Sequence, residues 1–222
     1  MTIVISITAA LLVLFGIGLI RRYNRNQRGE FIDTFQFHPA VINKFREVRP
    51  DLTEAQEALV FAALREYFHL CNQAGRRMVS MPSQVVDDAW HAFILFTRGY
   101  QRFCHKAFGR FLHHTPAEAM ASPHLATDGL KRAWRLACAH DGIDPKTPPN
   151  LPLLFGIDSQ LQIDNGFYYV PDCSSVKRTD RNGVYCASDI GCSSGCAGDS
   201  GVDSGSSEGD GDSGCGGGCG GD

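Results

Sequence analysis

From Met81 to Pro116 the chain reads MPSQVVDDAWHAFILFTRGYQRFCHKAFGRFLHHTP, and the apolar spacing in this stretch restricts the fold more than any other feature. Val86, Trp90, Phe93, Thr97, Tyr100 and Cys104 advance in alternating steps of four and three. That is the period of a helix with one buried face, so the chain needs other helices to cover it. Ser83 is placed to cap the start and Gly109 to end the second half. Gly99 marks a place where the helix can bend. The same stretch concentrates Asp87, Asp88, His91, Cys104, His105, His113 and His114, groups that bind metals or move protons.

Other helices are legible around it. Pro39–Val48 suits a short helix with Pro39 in its first turn. Thr53 and Gln56 have capping-box spacing at the head of a helix reaching Ala74, where Gly75 is a natural stop. Ser122 and Pro123 read as the start of a helix running to about His140, closed by Gly142 and Pro145. Phe31, Ile32, Phe35 and Phe37 are expected to pack at the domain edge. Asn165-Gly166, between Leu161/Ile163 and Phe167/Tyr169, is a hairpin signal. The expected class is therefore mainly α, with a short β-hairpin.

At the start, Ile3 to Ile20 form an almost unbroken apolar run. As a helix it would be roughly 27 Å long, close to the thickness of bilayer hydrocarbon. Arg21, Arg22, Arg25 and Arg28 follow before any acidic residue. The reading is an uncleaved single-pass transmembrane anchor over residues 1–22 and a juxtamembrane linker over 23–34. A helical domain then covers 35–172, and a disordered Gly/Ser/Asp/Cys-rich tail covers 173–222. Positive flanks stay cytoplasmic. The expected location is thus the inner (plasma) membrane with the domain in the cytoplasm. The four arginines are expected to meet anionic lipid headgroups. In that reducing compartment the nine cysteines are expected as thiols or metal ligands rather than disulfides.

The net charge is −3, but the tail after Arg181 holds seven acidic residues and no Lys or Arg, which leaves +4 for the rest. This mild balance excludes a basic nucleic-acid footprint, and no nucleic-acid partner is expected. The tail pairs Cys192/Cys196 and Cys215/Cys219 are alike in spacing, and glycines between thiolates would let them wrap a soft or borderline metal. A solvated low-complexity tail with incidental cysteines is the competing reading.

In the central stretch, Asp87 and His91 are four apart and share a helix face. The carboxylate can hold one imidazole nitrogen and raise the basicity of the other. That suits a metal site or a general base, and it equally suits a pair that merely supports a helix. His91 and Cys104 would lie about 20 Å apart on one unbroken helix. A site shared between them requires a break near Arg98-Gly99. Without one, two separate groupings remain: Asp87/His91 with a partner from the Thr53–Ala74 helix, and Cys104 with His113 or His114. Adjacent histidines in extended chain point opposite ways, so one of His113 and His114 faces inward. Cys104, on the apolar stripe, also reads as a small core hydrophobe.

Asp87-x-x-Trp90-His91, Tyr100-x-x-x-Cys104, Gly109 and a histidine at 113 or 114 together resemble the glycine-rich domain-containing protein-like family. The resemblance covers roughly residues 35 to 140 and implies a helical domain without a settled activity. Where that family's pattern has a second histidine two after the first, this chain has Phe93, which would leave a metal site there one ligand short. H-E-x-x-H and a P-loop are missing from the sequence, and neither G-x-S-x-G nor a dinucleotide fingerprint occurs before the low-complexity tail. The favoured reading is a membrane-anchored, cytoplasm-facing binding or scaffold domain with a structural or sensory zinc site near His91. A protein partner fits that role. The metal candidates are His91, Asp87, Cys104, His113 and His114, with Cys192, Cys196, Cys215 and Cys219 in the tail. The alternative is a membrane-tethered hydrolase-like enzyme using His91, oriented by Asp87, as general base or catalytic metal ligand.

Overall fold

A computed structural model describes residues 2–115, 123–171, 184–187 and 190. Among them the order is α1 (Thr2–Thr34), α2 (Pro39–Val48), α3 (Glu54–Ala74), α4 (Gln84–Ile94), α5 (Thr97–Phe108), α6 (Pro123–Asp141), α7 (Leu153–Gln160), β1 (Tyr168–Val170) and β2 (Val184–Cys186). The expected mainly helical class is what the structure has.

The capping box at Thr53 and Gln56 is formed in full, and Gly75 closes α3 at φ +66°. This helix is the axis of the fold. Its buried residues, from Val60 through Leu64, Phe68 and Cys71, lie on more than one face. Helices α1, α4, α5, α6 and α7 all pack against it. Phe68 sits at the centre, 4.8 Å from the Phe103 ring and 5.9 Å from the Phe108 ring. Phe35, expected at the edge, is partly buried and packs against this cluster, its ring 4.7 Å from Phe103.

Helices α4 and α5 are separated at Leu95-Phe96, three residues before the expected bend at Gly99. Packing decides the position. Trp90 and Phe93 on one helix, and Tyr100 and Phe103 on the other, are all 3 % exposed or less. A straight helix would carry Trp90 and Tyr100 about 15 Å apart along its axis. With the break, the Trp90 indole N–H donates to the Tyr100 hydroxyl at 3.0 Å.

Three expectations are corrected. The first is the membrane anchor. Among the described residues no helix is long and apolar enough to cross a membrane. Helix α1 spans Thr2–Thr34. The helix runs without interruption through Arg21, Arg22, Arg25 and Arg28 to Thr34, so residues 23–34 are helical and not a linker. Its last turns belong to the domain: Ile32 is fully buried, and the Asn72 amide donates to the Arg25 carbonyl at 3.0 Å. The inner-membrane, cytoplasm-facing placement falls with the anchor.

The second correction is the hairpin. β1 pairs with β2 in parallel, Tyr169 opposite Tyr185, and Leu161 to Gly166 are the end of α7 and a turn. Asp158 is the cause, because its carboxylate takes the Phe167 N–H at 2.9 Å that a hairpin ladder would have used. Gly166 permits this closeness, since a Cβ there would lie 2.8 Å from the Asp158 Cβ. The third concerns the thiols. Cys71, Cys104 and Cys138 are free, but Cys186 is disulfide-bonded. The tail pairs Cys192/Cys196 and Cys215/Cys219 lie outside the described residues.

Two buried carboxylates follow different rules. Asp158, 1 % exposed, accepts from the Ser83 hydroxyl at 2.7 Å and from the backbone N–H groups of Gln84 (2.7 Å), Val85 (3.2 Å) and Phe167 (2.9 Å). It caps α4 from a distant helix end, where unpaired N–H groups and the helix dipole favour a negative charge. Asp158→Ala is expected to cost about 3 kcal/mol of unfolding free energy, read from urea denaturation, because four donors, two buried and two part-buried, lose their acceptor.

Glu66 is 7 % exposed, and its Oε1 has no hydrogen-bond partner. Burial, with Asp141 adding repulsion, pushes its carboxyl up to about 8 from 4.5. Between those values the unfolded chain has released the proton and the folded chain still holds it. Stability therefore falls as pH rises through that window, with a limiting slope of about 1.4 kcal/mol per pH unit from this group. Glu66→Gln is expected to remove that slope, so that the variant gains on the wild type from pH 5 to pH 8 in parallel urea titrations.

Candidate metal centre

Ser83 opens α4, its hydroxyl accepting from the Val86 N–H at 3.2 Å, with Asp158 reinforcing the cap. The helix turns Val86, Ala89, Trp90 and Phe93 to the core, which leaves Asp87 and His91 together on the outer face. The neighbouring Asp88 points elsewhere. Arg49 binds it at 2.6 Å and Gln84 donates to it at 3.1 Å, so it is held in a structural ion pair between α2 and α4.

The chain after α5 supplies the third group. Gly109, at φ +67°, adopts the left-handed conformation that stops α5 and turns the chain back. The Arg110 guanidinium fastens the return to the Gly75 carbonyl at 2.7 Å. Two residues on, the Leu112 carbonyl accepts the Tyr100 hydroxyl proton at 2.6 Å. Tyr100 thus links the Trp90 indole to the returning segment in a buried chain. From Leu112 the alternation of extended backbone takes over. Leu112 points in, His113 points out against the Phe111 ring at 4.8 Å, and His114 points in.

His114 fits between two rings of α4, 4.6 Å from Trp90 and 4.3 Å from His91 by ring centroids. Its Nε2 lies 2.8 Å from Asp87 Oδ1, and His91 Nδ1 lies 3.2 Å from Asp87 Oδ2. The His91 Nδ1 is also 2.9 Å from the Asp87 carbonyl oxygen. One donor atom from each of Asp87, His91 and His114 falls within 4.8 Å of the others. Tetrahedral zinc with bonds near 2.0 Å places its ligand atoms about 3.3 Å apart. The donors therefore lie near coordinating separation. The His114 and Asp87 side chains are 13 % and 20 % exposed, whereas His91 is 51 % exposed, so the cluster opens to solvent on the His91 side.

Of the five residues expected in the domain, Asp87, His91 and His114 come together, while Cys104 and His113 do not. Cys104 is fully buried on the core side of α5. Burial raises its thiol above the usual range and does the same to Cys71 and Cys138, each to about 12. Such thiols stay protonated near neutral pH and are poor ligands. His69 also stands apart, 2.6 Å from Asp33 and stacked on His140. Phe93 belongs to the core, so the second imidazole comes from the returning segment and not from the position two after His91. Asp158 and the hydroxyl of Tyr100 escaped the sequence reading. Asp158 is 75 positions from the Ser83 it binds, and nothing local distinguishes it.

A model of the UCP032817-like family matches residues 27–190, well over half of the chain. No curated protein and no solved structure matches.

Tyr100→Phe isolates the positioning chain. It leaves the Trp90 N–H and the Leu112 carbonyl buried without partners, at an expected cost of about 2–3 kcal/mol. Amide hydrogen exchange should quicken from Arg110 to Thr115 more than in α3. Uniform quickening across both would contradict a role for Tyr100 in holding the segment.

Proposed function

We propose that this chain, which belongs to the UCP032817-like family, is a helical binding domain organised around one divalent-metal site, with zinc as the preferred ion. The supporting observation is the convergence of Asp87, His91 and His114 within 4.8 Å, from a helix and from a segment that returns to it. Two imidazoles and a carboxylate suit borderline ions, zinc foremost, and with open positions the same set also suits ferrous iron. A bound ion would join the returning segment to α4, so occupancy would set the position of the chain that follows His114. This is a structural or sensory role. The likeness to glycine-rich domain-containing proteins belongs to this proposal too, and rests on the residues from Asp87 to His114.

One observation favours the hydrolase-like reading as second. Exposure of His91 leaves the remaining coordination position facing solvent, and three protein ligands with an open fourth position are the arrangement of catalytic zinc. Binding ranks first because the larger described cavity is lined by α1, α2, α4 and α5 residues that include none of the three donors.

Zinc titration of the reduced full chain against a chromophoric chelator tests this. One tight equivalent is expected, weakened on the order of 100-fold or more by either His91→Ala or His114→Ala. The equivalent should survive replacement of Cys192, Cys196, Cys215 and Cys219 by serine. Undiminished zinc in both histidine variants would sink the proposal, and loss only with the four serines would move the metal to the tail.

A further inference from the structure

A second, independent feature lies on the opposite side of the α4–α5 break. Helix α5 carries Arg98, Arg102 and Lys106, each four after the last, so the three cations share one face. Like charges at this spacing disfavour a helix, and no carboxylate relieves them. None of the three takes part in an ion pair among the described residues. Lys106 rests only over the Phe31 ring, at 5.6 Å. All three are exposed, and all three line one cavity of about 640 Å³ between α1, α2, α4 and α5.

Most of the remaining lining is apolar, with Gln36, His38 and Thr97 as its other polar members. Phe31, Phe35, Phe93, Phe96 and Phe103 contribute to it, and no Asp or Glu does. Phe93 and Phe103 are core residues at 2 % exposure, so the floor is the edge of the aromatic cluster itself and is rigidly backed. The break at Leu95-Phe96 creates the space by ending α4 before the wall of α5 begins. An aromatic floor with a cationic edge has one complement: a molecule with an apolar body and an anionic head. The volume falls within the range of small-ligand sites, about 300–1,000 Å³. Paired guanidiniums on one helix face favour a planar carboxylate, which they can grip with parallel hydrogen bonds.

We propose that this cavity binds an amphiphilic carboxylate of the fatty-acid type, with its chain over the phenylalanines and its head at Arg98 and Arg102. A second copy of the chain is a poorer occupant. The exposed apolar segment it would offer, Leu11 to Ile20, has no carboxylate and would leave the three cations unmatched.

Isothermal titration of the full chain with dodecanoate, below its micellar concentration, is the test. Butyrate and dodecyltrimethylammonium serve as head-only and opposite-charge controls. Saturable binding near one equivalent is expected for dodecanoate and for neither control. R98E/R102E should weaken it about tenfold or more, the loss of one charge-assisted pair, without altering the melting temperature or the zinc titration. R98Q/R102Q provides the same comparison if the charge reversal disturbs folding. Equal binding of the cationic amphiphile, or unchanged affinity in a folded arginine variant, would overturn the proposal. So would sedimentation showing a dimer that either arginine variant dissociates, since the groove would then be a self-interface.

Discussion

The hydrogen bond from the Trp90 indole to the Tyr100 hydroxyl, passed on to the Leu112 carbonyl, is the interaction on which the arrangement turns. It exists only because the helix is broken at Leu95-Phe96. It ties three consecutive pieces of chain together: α4, α5 and the segment returning from Gly109. Without it, the returning segment would be held by Arg110 near its start and by the weaker contact of the Leu112 backbone with the Cys104 thiol. With it, the register of Leu112, His113 and His114 is set, and one imidazole is delivered to the face of α4 that already holds Asp87 and His91.

The same break serves both sides of the helix pair. On one side it brings the rings of Trp90 and Phe103 onto Tyr67 and Phe68 of α3, so that the aromatic cluster closes. On the other it opens the space edged by Arg98, Arg102 and Lys106. The metal-type cluster and the cationic cavity are thus separate consequences of one irregularity in backbone. Asp158 supports both from outside, because its carboxylate secures the N-terminus of α4 and hence the direction in which the helix approaches the core.

How much of the site was legible follows from sequence distance. Asp87 and His91 share a face by helical period alone, and the alternation of His113 and His114 follows from extended backbone, so these relations could be read locally. The inward member of the histidine pair could not be named, since that depends on the tie at Leu112. Cys104 looked equivalent to the histidines as a ligand type, but its stripe position placed it in the core, where burial holds the proton on sulfur. The hairpin signal at Asn165-Gly166 was outweighed by the side chain of Asp158, which captured the N–H a strand would have used. The apolar run at the start was read correctly as helix, but the helix did not end with the run: the arginine-bearing turns continue into the domain.

The sequence by itself determined several helix ends, because caps, prolines and glycines act within one turn: Thr53 with Gln56, Ser83, Gly75 and Gly109 all hold the positions their chemistry requires. It also determined the buried face of α4 and α5, since that follows from period. Only the tertiary structure decided where α4 gives way to α5, which histidine joins Asp87, and which carboxylate caps which helix. Those outcomes depend on contacts between residues far apart in the chain. Their energies come from packing and from buried hydrogen bonds, which no local pattern encodes.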